Sequence, residues 1–289
     1  MIALLGTGLL GTGFTRALRR RGEAVTVWNR TPAKAAALAE VGAVVAADPA
    51  AAVRGASRVH LVLSDDDAVD AVLEAARPAL AGDVLVIDHT TTSATGTRAR
   101  AERWAGRGVA FLHAPVFMGP QHAHDSTGLM MVSGAPALVD RARPHLTTMT
   151  GSLIELGPGA DTAAGYKLLG NLFLMFLTSG LADLLMLAGA VGLSPDDAAR
   201  LLQFFNPGGS VAGRLARMSS GDYTEPSWQL ETARKDARLM LEEAARAGRP
   251  LAVLPAIAAR MDHVLATGAG ALDWTVLGRD ALAAGPVRP

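Results

Sequence analysis

Residues 4–31, LLGTGLLGTGFTRALRRRGEAVTVWNRT, restrict the fold of this chain more than any other stretch. An apolar run from Ile2 to Leu5 leads into Gly6-Thr7-Gly8-Leu9-Leu10-Gly11, a GxGxxG. That turn opens a helical pattern from Leu10 to Arg21, and a second β-rich run, Val25 to Trp28, follows. In this setting each glycine has its own task. Gly6 allows the tight turn out of the strand, Gly8 lets the backbone approach a pyrophosphate, and Gly11 lets the helix pack closely on the sheet. The helix start, where Leu9 and Leu10 sit, offers unpaired N–H groups and a positive dipole end to phosphates. The segment predicts a βαβ unit with a dinucleotide at its turn.

The end of the second strand reads the 2′ position of the adenosine ribose. An acidic residue there would accept hydrogen bonds from ribose hydroxyls and repel a phosphate. This chain has Asn29-Arg30-Thr31 instead, which supplies donors, a positive charge and a hydroxyl. The expected cofactor is NADP (NADPH) rather than NAD. Thr31 before Pro32 also reads as a helix cap, and Arg30 as a solvated surface residue is the plainer alternative.

The first half continues in the same alternation. Strands are expected at Val59 to Leu63, Val84 to Ile87 and Val109 to Leu112, with helices near Ala33 to Glu40, Asp66 to Ala76 and Ser93 to Ala105. Ser64 places a hydroxyl before Asp65-Asp66-Asp67, a pattern that fits a helix N-terminus better than a metal site. Beyond the turn-rich ELGPGADTAAG (155–165) the pattern is almost wholly helical, and Ser194-Pro195-Asp196-Asp197 starts a helix by the same capping logic. The expected fold is an α/β Rossmann-type, doubly wound N-terminal domain over residues 1–160 and an all-α C-terminal domain over 161–289.

Formal net charge is zero and cysteine is absent. The balance argues against nucleic acid and against polybasic membrane contacts, leaving small molecules and copies of the same chain as partners. The lack of cysteine removes disulfides and thiolate-bound zinc, which suits a cytoplasmic setting. Leu168 to Leu193 is apolar enough to resemble a membrane span. Lys167 opens it, however, Asn171 lies one turn in and Asp183 interrupts it, so a helix buried in a soluble protein is expected.

Lys167 and Asn171 are four apart, on one helix face. A lysine in an apolar segment is costly to bury, its pKa falls on desolvation, and it can then exchange a proton with a substrate oxygen while a hydride moves. Equally, Lys167 could snorkel at the helix start and Asn171 satisfy a backbone group. Lys235-Asp236, on an amphipathic helix, means little alone.

The glycine turn with its NRT ending, IDHTTT (87–92) in the place of a D-x-S-T segment, GYKLLGN (165–171) in the place of G-x-K-x-x-x-N, and Lys235-Asp236 together resemble the β-hydroxyacid dehydrogenase family. Its members include 3-hydroxyisobutyrate dehydrogenase and glyoxylate or succinic semialdehyde reductases, with 6-phosphogluconate dehydrogenase and imine reductases as relatives. The resemblance implies an NADP-dependent oxidoreductase and a homodimer. It also implies roles: Lys167 as catalytic acid/base, Asn171 as substrate-orienting donor, Thr91 near the nicotinamide, Leu63 and Ser64 along the adenine-to-ribose path, Lys235 on the cofactor and Asp236 in support. Trp228 falls where relatives place an aromatic near the substrate, with ordinary core packing as its alternative.

One segment departs from the family pattern. The family holds a substrate carboxylate with a serine and two glycines after APV, whereas this chain has Phe117, Met118 and Gly119, keeping only the last. Either other groups hold the carboxylate or the substrate lacks one. An imine reductase and a non-catalytic NADPH-binding protein are the competing readings. His122 and His124, two apart before Asp125, lack a third ligand at sensible spacing and read as solvated, and His89 and His113 read as structural.

Overall fold

The computed structural model describes residues 1–283 and Gly285. The chain forms two compact units, Met1–Leu172 and the residues from Phe173 onward.

The first unit is built on a parallel six-stranded sheet of order β3-β2-β1-β4-β5-β6. Its strands are β1 (Ile2–Leu5), β2 (Val25–Trp28), β3 (Val44–Val45), β4 (Arg58–Leu61), β5 (Leu85–Asp88) and β6 (Ala110–His113). Helices α1 (Leu9–Arg20), α2 (Pro32–Ala36), α3 (Pro49–Val53), α4 (Asp66–Ala76) and α5 (Ala94–Ala105) connect them. The side-chain alternation of β1 shows why both faces are covered. Ile2 and Leu4 join Phe14, Leu18 and Val27 in one core, while Ala3 and Leu5 join Leu61, Leu73 and Trp104 in another. Order reverses beside β1, so the β1–α1 and β4–α4 turns open at the same sheet edge, where a doubly wound sheet takes its ligand.

A second, three-stranded sheet runs β7-β8-β9, with β7 (Val116–Phe117) antiparallel to β8 (Leu129–Val132) and β9 (Ser152–Glu155) parallel to it. Helices α6 (Pro120–Asp125) and α7 (Pro136–Leu146) accompany it, and α8 (Thr162–Ala190) carries the chain out of the first unit. In the second unit lie α9 (Pro195–Phe204), α10 (Val211–Ser220), α11 (Leu230–Arg246) and α12 (Leu254–Leu265), around a core that includes Leu230, Ala237, Met261 and Val264.

The parallel sheet and the helical region after it agree with the expected fold class, and several local expectations are corrected. Asp65, not Ser64, caps α4, its carboxylate accepting from the Ala68 N–H at 2.8 Å. Thr31 stands at the N-cap of α2 with Pro32 behind it, yet its hydroxyl makes no cap bond. The helix expected to Glu40 turns into a 3₁₀ segment at Ala37. The strand expected to Leu63 stops at Leu61, freeing Leu63 and Ser64 for the turn that follows. His122 and His124 lie on helix α6. At Ser194 the capping reading holds, with Asp197 reciprocating.

The largest correction concerns α8. It was expected to be buried, but only 6% of its most apolar window is. Leu169, Met175 and Phe176 are each 60% exposed or more. Asp183, the acidic residue within it, accepts from the N–H groups of Ala252, Val253 and Leu254 at 2.7–2.9 Å and so ties down the start of α12. Burial opposes that charge, but the three backbone donors hold its pKa below the usual carboxylate range.

Candidate active site

The β1–α1 turn fits a dinucleotide. Gly6 has φ +103°, and a Cβ there would overlap the Val62 carbonyl oxygen. A Cβ at Gly11 would overlap the Gly6 carbonyl oxygen and stand 3.3 Å from Leu4 Cδ2, so the helix could not reach the sheet. Gly8, the N-cap of α1, has no side-chain cap bond and open space where a Cβ would lie. The first N–H groups of α1 are therefore free for an anion.

Asn29 holds this turn from the next strand. Its Oδ1 accepts from the Thr7 N–H at 3.0 Å and its Nδ2 donates to the Thr31 carbonyl at 3.1 Å. The side chain expected to read the ribose is thus occupied in shaping the glycine turn. Arg30 and Thr31 stay exposed. Lys34, one turn further along α2 and absent from the expected site residues, lines a cavity of about 620 Å³ with Thr7, Gly8, Leu9, Thr12 and Arg16. Arg16 is ion-paired to Glu40. The signal that could have found Lys34 is compositional: Lys34, Lys167 and Lys235 are the only lysines in the chain, against 24 arginines.

A second cavity of about 360 Å³ brings Gly8, Leu9 and Leu10 together with Leu63, Ser64 and Thr91, and with Met118 and Lys167 from later in the chain. Its wall is braced by a short relay. Asp88 Oδ1 accepts from the Thr90 N–H at 2.9 Å, and Thr90 Oγ1 accepts from the Leu63 N–H at 2.9 Å. Burial pushes the Asp88 carboxyl up to about 6, although the Thr90 hydrogen bonds oppose the shift, and its Oδ2 has no partner among the described residues.

His89, also on this cavity, is fixed as a neutral ring. Its Nδ1–H donates to the Ala114 carbonyl at 2.6 Å, which leaves Nε2 to accept from His60 Nδ1 at 2.9 Å. Burial lowers His89 to about 4, the Ala114 carbonyl pulling weakly the other way. Burial likewise takes His113 to about 4 while its ring donates to the Thr90 carbonyl. Both histidines are structural in geometry. Among the described residues no group of three or more His, Cys, Asp or Glu could hold a metal.

Lys167 sits half-buried on the second turn of α8, and burial alone lowers its pKa from the usual lysine value. It makes no ion pair or hydrogen bond among the described residues. Its Nζ instead stands 4.0 Å from the centroid of the Phe117 ring. Asn171, one turn on, is half-buried with no side-chain hydrogen bond among the described residues. Gly119 caps α6, and its N–H donates to His122 Nδ1 at 3.1 Å.

The remaining expected residues belong to the second unit. Lys235 Nζ and Asp236 Oδ1 pair at 2.9 Å on α11, with Lys235 half-exposed. Trp228 packs on Trp274, ring centroids 5.2 Å apart, at the edge of that unit's core.

Residues 1–157 match the family described as the NAD binding domain of 6-phosphogluconate dehydrogenase. The chain is 27% identical over 286 residues to 3-sulfolactaldehyde reductase of Escherichia coli (strain K12), covering 96% of this chain and 94% of that one. It is 34% identical over 198 residues to a probable 3-hydroxyisobutyrate dehydrogenase of Mycobacterium bovis, covering 67% and 65%. In fold it resembles an imine reductase from Myxococcus stipitatus solved with NADP⁺, with a TM-score of 0.88, 23% identity and coverage of 96% and 99%. The glycine turn, the sheet order and these likenesses agree: the chain belongs to the family of the 6-phosphogluconate dehydrogenase NAD-binding domain and is an NAD(P)-binding oxidoreductase.

Proposed function

We propose that this protein reduces a small carbonyl compound with NADPH, or oxidises the corresponding alcohol, with Lys167 as the acid/base and Asn171 holding the substrate in register. The observation that carries the reading is the Lys167 amine. It is half-buried, unpaired with any carboxylate among the described residues, and lines the same cavity as the glycine turn and Thr91. A reduced nicotinamide, when bound, supplies the hydride. In the reducing direction the Lys167 ammonium donates its proton to the carbonyl oxygen, and in the oxidising direction the neutral amine removes it. The lowered pKa makes the amine a readier donor than an ordinary lysine and lets the neutral form exist nearer neutrality.

The preference for NADPH rests on the absence of an acidic residue at the end of β2 and on the exposed cations Arg30 and Lys34 beside it. Asn29 supports the turn rather than the phosphate. A second copy of the chain is the proposed cover for the apolar surface of α8, in preference to a membrane, since its two charged side chains both have local roles. Imine reduction is the second reading, favoured by the apolar Phe117 and Met118. Retention of Lys167 weighs toward a carbonyl.

NADPH consumption against small aldehydes, 2-keto and 3-keto acids and cyclic imines tests this directly. Lys167→Ala is expected to lower kcat on carbonyl substrates by about 10²–10⁴. Unchanged carbonyl turnover in that variant, or turnover confined to imines, would overturn the assignment.

A further inference from the structure

We infer that Phe117, seated against Gly170, is the specificity residue of this site and restricts it to neutral carbonyl compounds that carry no carboxylate. This rests on the reading of the cavity as a reductase site and adds the substrate class. Three local facts converge on it.

The first is that the ring and the helix are fitted to each other. A Cβ at Gly170 would stand 2.8 Å from Phe117 Cε1 and closer still to Cζ, so only glycine on α8 admits the aromatic side chain at that place. Gly170 and Lys167 are three residues apart on one face of the helix, and the ring covers that face. Opposite Phe117 across β7 and β8 is Leu129, which fixes the strand that carries the ring.

The second is that no side-chain anion anchor is present at residues 117–119. Phe117 and Met118 have no donor on their side chains. The Gly119 N–H is already given to His122 Nδ1 at 3.1 Å. Met118 lies on the cavity wall, and the His89 ring beside it is neutral with both nitrogens engaged. Among the described residues lining the cavity, Lys167 is the sole cation.

The third is the position of that cation. An ammonium 4.0 Å above an aromatic centroid is held by the negative face of the ring, a face that repels a carboxylate. Among the described residues, Lys167 is the one cation on the cavity wall that a substrate carboxylate would meet, and an amine paired to it would lose its place as proton donor. A neutral substrate leaves it free. A reduced nicotinamide, when bound, would supply a hydride (one proton and two electrons) to the carbonyl carbon and be left oxidised, while the Lys167 proton goes to the oxygen to complete the alcohol and the neutral amine recovers a proton from water.

The test compares butanal with 4-oxobutanoate, which differ by a terminal carboxylate, using NADPH and the full-length protein. The wild type is expected to favour butanal in kcat/KM by tenfold or more, and Phe117→Ser to move the ratio at least tenfold toward 4-oxobutanoate. Preference of the wild type for 4-oxobutanoate, or an unmoved ratio in Phe117→Ser, would overturn the inference. A second readout needs no turnover. With three lysines in the chain, ¹³C-lysine NMR gives three titrations. Phe117→Leu should lower the Lys167 pKa further, Phe117→Tyr should restore it, and Lys34 and Lys235 should stay put as a check on folding. No change at Lys167 in Phe117→Leu would overturn the inference that the ring holds this amine. If the wild type reduced neither aldehyde, the carbonyl-reductase reading and the substrate class would fall together, while the lysine titration would still report separately on the Phe117 seat.

Discussion

Lys167 in the first unit and Asp273 in the second are both charged groups withdrawn from water, and they are treated in opposite ways. Asp273 is fully buried and accepts from five donors: the N–H and hydroxyl of Thr275, the N–H and hydroxyl of Ser227, and the Arg217 guanidinium, all at 2.6–3.0 Å. Burial opposes its charge, but Thr275 and Ser227 outweigh it and hold the carboxyl well below the usual range. Among the described residues, Lys167 has a ring face beneath it, a cavity in front and no ionic partner. A fully partnered charge fixes structure, because every lone pair is already used. A charge left without an ionic partner costs stability and remains available for chemistry.

Substitution can separate these two roles. Lys167→Met keeps the apolar stem and removes the desolvated cation. It is expected to cut carbonyl reduction by about 10²–10⁴ while changing unfolding stability by less than about 1 kcal/mol, read by steady-state kinetics beside urea denaturation. Asp273→Ala should behave in reverse, costing about 3–5 kcal/mol of stability because Arg217 and four further donors lose their acceptor. If the lysine variant were the less stable of the two, the contrast would fail.

Solution pH tests the same contrast at the sheet edge. His89 and His113 are depressed to about 4, so their contribution is whole above the unfolded value of 6.5 and is lost as pH falls toward 4. Each site costs up to about 3 kcal/mol at the bottom of that range. Asp88, raised to about 6, has the opposite sign: its contribution is present below 3.8 and lost as pH climbs through about 6. The wild type should therefore lose stability on acidification from pH 7 to 4, and the advantage of Asp88→Asn over it should grow in the other direction. Denaturant midpoints at half-unit steps of pH measure both slopes.

The rate carries its own signature. Reduction uses the protonated Lys167, so kcat/KM for a carbonyl should fall as pH rises through a value below that of ordinary lysine, and oxidation should rise over the same window. A profile flat to the usual lysine range would place the amine in water. The smallest effect concerns the cofactor: Arg30→Ala with Lys34→Ala should weaken NADPH about tenfold, near 1.4 kcal/mol, and leave NADH unaffected. Equal weakening of both would remove these cations from the 2′ position.

Much was legible in the chain itself, for reasons of range. The glycine turn, the strand and helix alternation and the shared helix face of Lys167 and Asn171 are set by neighbours within a turn or two, so periodicity and glycine spacing determine them. Contacts between distant residues are not encoded that way. Asn29 reaches back 22 residues to Thr7 and is consumed there. Phe117 meets Lys167 and Gly170, fifty residues on, only because β7 and α8 are folded side by side. The strand pairing of β7, β8 and β9 was invisible because it joins residues far apart in the chain, such as Leu129 with Ser152. The apolar character of α8 was plain in the sequence, but whether protein covers it depends on what packs around it, and hydropathy carries no such information. Local spacing thus determined the scaffold and the position of the lysine, and tertiary packing decided what surrounds its amine.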